Sequence, residues 1–397
     1  MLWRMTVENF YSIREPITLD LTVGRNVPEY PDRLVEPIPG RSERVSRVAA
    51  IFGPNASGKT NVLRALSFLK DFVQNSFDWN VTGPSPYLRF ESHATLSAPT
   101  RFRIDFDGEL IQDAPRSLYS YELDLRVDAP GQTSKVLYEA LKYFPKGRPR
   151  KLFERREKDV YVSKYFNMKK NDQRLSFVKS NASLISSLAH FNHDFSLAVV
   201  QNLTSVNTNV GLPGRVEYDS DEATKYYSSN PKVFESLVES LKILDIGIEK
   251  ATLEVTNYGV SPKFWHMGLD NPIVYQFESD GTKNFYRIFP QINYVLETGG
   301  LAILDEFDRD IHPVLVPEIV RWFHDPEINR KNGQIIMSVH SVPLMEYLIK
   351  EEVFFTSKKI SGATHLYGLK EVKGVRRDEN IYAKYLGGQY GSIPQIG

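Results

Sequence analysis

The chain has 397 residues, with 49 Lys and Arg balanced by 49 Asp and Glu, so overall charge selects no partner and any electrostatic site must be local. A composition that is 41% hydrophobic and 12% aromatic supplies packed cores for one large domain or two ordinary ones and excludes whole-chain disorder. Cysteine is absent, which excludes disulfide frameworks, thiolate metal sites and cysteine nucleophiles and fits a reducing compartment.

Residues 1–23 set Leu2, Met5 and Val7, then Ile13, Ile17, Leu19 and Leu21, in near alternation and predict two antiparallel strands around a tight bend. This opening contains Glu8 and lacks the unbroken apolar core of a signal peptide. No apolar run approaches the roughly 20 residues that span a bilayer. A cytoplasmic protein without a membrane segment is expected. Residues 24–46, with Pro28, Pro31, Pro37 and Pro39 among charges, predict a surface connection without regular structure.

From Val48 the run VAAIFG predicts a buried strand, followed by a glycine loop and a helix with Leu66, Leu69, Val73 and Phe77 on one face. Residues 100–170 alternate through TRFRIDF, SLYSYELDLRV, KVLYEALKYF and RKLFERREKDVYVS, the pattern of an antiparallel meander. Leu184, Leu188, Phe191, Phe195, Val199 and Leu203 then mark one amphipathic helix over 181–203. Residues 204–230, rich in Ser, Thr, Asn and Asp, read as an exposed linker. A further helix after Pro231 carries Phe234, Leu237, Leu241 and Leu244.

The loop Gly53-Pro54-Asn55-Ala56-Ser57-Gly58-Lys59-Thr60 fits G-x-x-x-x-G-K-[ST] between strand and helix, the context that the chemistry requires. Glycines let successive N–H groups curl around phosphate oxygens. Lys59 is expected on the outer phosphates, Thr60 on a magnesium ion, and Asn61 within the same nucleotide site. Downstream, GGLAILDEFDRDIHP ends an apolar strand at Asp305 and Glu306, where parallel sheets place ligands. Asp305 is expected to hold magnesium and Glu306 to take the proton of an attacking water. NGQIIMSVHSVPLM ends another apolar strand at His340, placed to sense the terminal phosphate. The catalytic expectation is therefore Lys59, Glu306 and His340.

These residues resemble the nucleotide-binding head of ABC ATPases, in the branch shared by SMC and RecF proteins. Val7-Glu8-Asn9-Phe10 with Ser12-Ile13 resembles its opening strand, and Ser279-Asp280-Gly281-Thr282 resembles the class signature. The resemblance implies that Ser279 and Gly281 complete the nucleotide site of an opposite subunit, that Asp308 lies in the D-loop, and that His340 is the switch histidine. The signature departs from the family pattern in lacking its second glycine and glutamine, and no Q-loop glutamine can be placed. At the carboxyl end, RRDENIYAKYLGGQYGSIPQI, with Tyr385-Leu386, Gly388, Tyr390-Gly391 and Pro394, is similar to the terminus of RloA-like ATP-binding proteins, relatives of the OLD-family, PtuA and AriA ATPases. That likeness implies a role in phage defence beside a separately encoded nuclease or toxin effector. OLD proteins carry a nuclease domain after the head, and none is expected within this chain.

Residues 142–174 hold twelve Lys and Arg against four Asp and Glu, interleaved with Tyr143, Phe144 and Phe153. This run fits contact with DNA, RNA or an acidic protein, or a solvated hairpin with a basic face.

The expected fold is α/β: an ABC-ATPase head, with a phosphate-loop mixed sheet and an antiparallel lobe, built from residues 1–170 and 270–397 around an inserted helical lobe at 171–269. The expected function is an ATPase using ATP and Mg2+ between paired heads, as a homodimer or larger even-numbered assembly, to control an effector. An ATP-controlled scaffold with little hydrolysis and a RecF-like DNA-repair ATPase are the alternatives.

Overall fold

A computed structural model of the chain describes every residue except 112–113, 130, 213, 244–246, 258, 310, 312–314 and 392–397. Leu244 and Pro394, used above, lie outside the described residues.

Val48–Phe52 is buried at every position, as a strand covered on both faces must be. It lies inside a six-stranded sheet ordered Val206–Thr208, Leu301–Leu304, Gln334–Ser338, Val48–Phe52, Val353–Lys358 and Thr364–Gly368. The first five strands are parallel and the last is antiparallel. Strand alternation divides their side chains between two cores. Ala49, Ile51, Ile303 and Ile336 face the first core, and Val48, Ala50, Phe52, Ala302 and Met337 the second.

The helix Lys59–Asn75 fills the first core and separates this sheet from a seven-stranded antiparallel one. The latter runs Asp159–Val162, Arg150–Arg156, Lys135–Tyr143, Ser117–Arg126, Thr100–Gly108, Leu2–Glu8 and Ile17–Asp20, the predicted meander with the amino-terminal hairpin at its edge. Phe68 bridges the layers, its ring 5.2 Å from Phe102 and 5.8 Å from Phe10. The second core lies under the helices Asp280–Thr298 and Leu315–His324. Among the described residues, no helix is long and apolar enough to cross a membrane.

Four expectations need correction. Residues 24–46 are not irregular: Leu34–Val35 and Thr22–Val23 pair with Arg44–Ser46, and Arg44 donates to the carbonyls of Val27 and Pro28 at 2.6 and 3.0 Å, which ties the proline-rich loop down. The first helix stops at Asn75, with Phe77 in the turn Ser76–Asp78. The 181–203 helix is two, Leu184–His190 and Asp194–Leu203, broken where Asn192 turns left-handed at φ 55°. Finally, 171–269 is not a purely helical lobe. Its first two helices pack on Lys59–Asn75, and Val206–Thr208 joins the central sheet. Ser220–Ser229 and Pro231–Ile243 pack on Asp280–Thr298, and the hairpin Ile248–Thr256/Gly259–His266 packs on those two helices.

Candidate nucleotide site

The chain leaves Val48–Phe52 through a loop that has no room for a side chain at two positions. Gly53 and Gly58 have φ of 151° and 110°. A Cβ would lie 2.4 Å from Thr356 O at Gly53, and 2.1 Å from Thr364 Oγ1 at Gly58. Ala56 is also left-handed, at φ 61°. Hydroxyl groups staple the loop to the neighbouring strands: Ser57 Oγ lies 2.6 Å from Thr356 Oγ1, and Thr364 Oγ1 donates to Ser57 O at 2.9 Å. Thr364 Oγ1 is also 2.8 Å from Ser12 Oγ, which accepts from Asn61 Nδ2 at 2.7 Å. The loop is thus preshaped, with the amino end of the Lys59–Asn75 helix, free of acidic residues in its first turn, aimed into it. That end attracts anions.

Lys59 Nζ donates to the carbonyls of Gly53 and Pro54 at 2.7 and 3.3 Å. Burial lowers its pKa, while the charges of Asp305, Glu306 and Asp308 pull the other way. A buried ammonium held by carbonyls gains strongly from an arriving phosphate.

The strand Leu301–Leu304 delivers Asp305 and Glu306 opposite this loop. Asp305 is buried. Its Oδ2 accepts from Thr60 Oγ1 at 2.8 Å, and its Oδ1 from Ser338 Oγ at 2.5 Å. Asn209 grips its backbone, accepting from Asp305 N at 2.7 Å and donating to Asp305 O at 3.0 Å. Glu306 is left-handed at φ 46°, with its N–H on Ser338 Oγ at 2.8 Å. Its Oε2 lies 3.4 Å from Nη1 of both Arg215 and Arg309, and its Oε1 lies 3.8 Å from His340 Nε2. Asp308 Oδ2 accepts from the backbone of His340 at 2.8 Å and from that of Ser341, which fixes the turn carrying the histidine. Its Oδ1 is buried without a hydrogen-bond partner.

One cleft of about 660 Å³ collects Asn55 to Asn61, Asp305, Glu306 and His340, together with Ser12 and Lys358. Gly53 and Pro54 are not among its walls and touch it only through their carbonyls on Lys59. Ser279 and Gly281 are not among its walls. Ser279 instead caps the helix Asp280–Thr298, its Oγ accepting from Thr282 N at 3.1 Å. Residues that sequence reasoning missed include Ser338, Thr356, Thr364, Asn209, Arg215 and Lys358. Only Ser338 carried a signal, since it precedes Val339-His340 at the end of an apolar strand.

Thr60 Oγ1 and Asp305 Oδ2 present two hard oxygens at one point, a donor set suited to magnesium when substrate and water oxygens complete it. Among the described residues no group of three or more His, Cys, Asp or Glu could hold a metal.

The basic run of 142–174 is less available than its composition implies. Arg155 is buried, donating to the carbonyls of Ala182 and Lys179 at 2.7 and 2.9 Å, with Glu139 at 3.7 Å. Lys142 pairs with Glu122, Arg174 with Asp172, and both Lys151 and Arg156 with Glu154.

Over residues 48–346, about three quarters of the chain, the sequence matches a protein family described as "AAA domain, putative AbiEii toxin, Type IV TA system". No curated protein matches. Among solved structures, the chain is similar to an SMC head domain from Thermotoga maritima, at 15% identity and TM-score 0.42, over 92% of this chain and 98% of that one. It is also similar to an SMC head bound to the C-winged helix domain of ScpA, at 13% identity and TM-score 0.43, over 92% and 96%.

Proposed function

The chain belongs to this AAA domain family of P-loop ATPases, and from that premise we propose that it is a magnesium-dependent ATPase working as paired heads. The observation that carries the reading is the contact of Thr60 Oγ1 with Asp305 Oδ2 at 2.8 Å, which joins the phosphate loop to the acidic strand beneath Lys59. Backbone N–H groups at the start of Lys59–Asn75 and the Lys59 ammonium hold the phosphates of ATP. Thr60 and Asp305 hold magnesium, which neutralises charge on the outer phosphates. Glu306 accepts a proton from water as the water oxygen bonds to the terminal phosphorus. The bridging P–O bond breaks and ADP leaves with its electron pair. His340 contacts the terminal phosphate.

Ser279 and Gly281 lie outside the cleft and open a helix whose Asp280 is exposed. In this reading they meet the nucleotide of a second copy, so ATP bridges two heads with Asp308 at the junction, in a homodimer or larger even-numbered assembly. The nucleotide's differential affinity for closed and open pairs drives the cycle. The family description, "putative AbiEii toxin, Type IV TA system", speaks of the family itself and not of a separate effector; the carboxyl-terminal likeness to RloA-like proteins is what supports a cytoplasmic ATPase that controls a separately encoded nuclease or toxin in phage defence.

The test is the mass in solution of the Glu306→Gln protein with and without ATP and magnesium, beside the hydrolysis rate of the wild type. ATP-dependent pairing with wild-type turnover upholds the reading. Nucleotide binding without any change in mass or compactness removes the paired-head mechanism.

A further inference from the structure

Arg215 reaches the site from the segment read as a linker. Beyond Asn209, Val210 and Arg215 close a small loop through an antiparallel bridge, with Val216 N on Asn209 O at 2.7 Å. Two side chains fix the loop from outside: Ser67 Oγ donates to Val210 O at 2.5 Å, and Tyr11 Oη to Leu212 O at 3.2 Å. Val210, Leu212 and Val216 are therefore held by groups other than the Arg215 side chain.

That side chain is 17% exposed and places Nη1 3.4 Å from Glu306 Oε2, while its buried Nε has no hydrogen-bond partner. A guanidinium kept mostly from water with one donor unmatched costs stability. Arg309 approaches the same oxygen from a side chain that is 54% exposed. Both cations thus take Oε2, and Oε1 is the oxygen nearer His340, at 3.8 Å. The two oxygens of Glu306 are made inequivalent.

We propose that Arg215 is a positioning residue for Glu306: held at Oε2 from the buried side, the carboxylate presents Oε1 to the water that attacks the terminal phosphate. This rests on the reading of Glu306 as the base. Glutamate has three side-chain torsions, and a cation held beside one terminal oxygen narrows the rotational spread of the other. A displacement of about 1 Å at such a group can cost on the order of 100-fold in rate.

Arg215→Gln and Arg215→Lys separate charge from bulk, since both keep a long polar side chain and only Lys keeps the cation. In Arg215→Gln, kcat for ATP should fall about tenfold or more, with KM and ADP affinity within about twofold of wild type. Arg215→Lys should recover a third or so of wild-type kcat. Unchanged kcat in the Gln protein overturns the proposal. So does a joint loss of kcat and nucleotide affinity in both proteins, or a Gln protein that fails to fold, since each marks the residue as structural. The reading of Glu306 fails separately, if Glu306→Gln turns over ATP at the wild-type rate.

Discussion

Thr60 Oγ1 donates to Asp305 Oδ2 across 2.8 Å, although 245 residues separate them. A hydroxyl and a carboxylate meeting at the positive end of a helix place two hard oxygens where a phosphate-bound cation would sit. Asp305→Asn keeps the shape and an acceptor but removes the charge. The variant should fold, bind nucleotide with little response to magnesium, and hydrolyse ATP on the order of 100-fold more slowly. Titrating magnesium into wild type and variant at fixed ATP, while following turnover, checks this; an unchanged magnesium response would refute the assignment.

Gly58 and Gly40 make a controlled pair. Both have positive φ, 110° and 82°, but a Cβ at Gly58 meets Thr364 Oγ1 at 2.1 Å whereas at Gly40 nothing lies within 4 Å. Gly40→Ala should cost about 1–2 kcal/mol, the backbone term alone. Gly58→Ala adds a steric overlap that must push Thr364 away, breaking its contacts with Ser57 and Ser12, and should cost about 3 kcal/mol or more together with nucleotide affinity. Chemical denaturation of the two variants gives the comparison, and equal losses would show that the hydroxyl staples do not constrain the loop.

The loop, the acidic strand and the meander were legible because each rests on local chemistry or on strand period. Gly53, Gly58 and Lys59 announce themselves by spacing, and TRFRIDF by alternation. The rest depends on long-range partners that no window of sequence contains. Asn209, in a stretch that looks like a linker, spends its amide on Asp305 far along the chain, and Thr356 and Thr364 reach the phosphate loop from a strand pair near the carboxyl end. Arg155, counted among surface cations, closes the core around Glu139. Polar residues used inside a fold carry the same letters as polar residues in water.

His193 should give the protein an acid-sensitive stability. Burial lowers its pKa, with the charge of Arg174 acting the same way against a hydrogen bond to Phe166 O. Nε2 lies 2.9 Å from that carbonyl and Nδ1 2.9 Å from Ser196 Oγ, an arrangement in which the neutral ring donates once and accepts once. Because the folded pKa lies below the unfolded value of 6.5, the unfolded chain binds the proton first. Stability should therefore decline as pH falls through about 6.5. In His193→Gln that part of the slope should vanish, although the variant starts out less stable at pH 8. Denaturant midpoints at pH 8, 7, 6 and 5 measure both, and parallel curves for the two proteins would remove His193 as the cause.

Ser279 can be asked about pairing without disturbing the helix it caps. Its Oγ accepts from Thr282 N at 3.1 Å, a role that Asp fills equally well at a helix start, so Ser279→Asp should leave the melting temperature within a few degrees. The same substitution adds a negative charge to an end that the paired-head reading sets against the phosphates of the opposite nucleotide. Like charges brought together there oppose closure. ATP should bind the variant normally yet no longer draw two copies together, and turnover should drop on the order of tenfold or more. Ser279→Ala is the complement: it loses the cap, about 1 kcal/mol, but adds no charge, so it should melt earlier while still pairing. Sedimentation with ATP and magnesium, beside thermal melts of both variants, separates the two effects. Pairing by the Asp protein at wild-type strength would place Ser279 away from the second nucleotide.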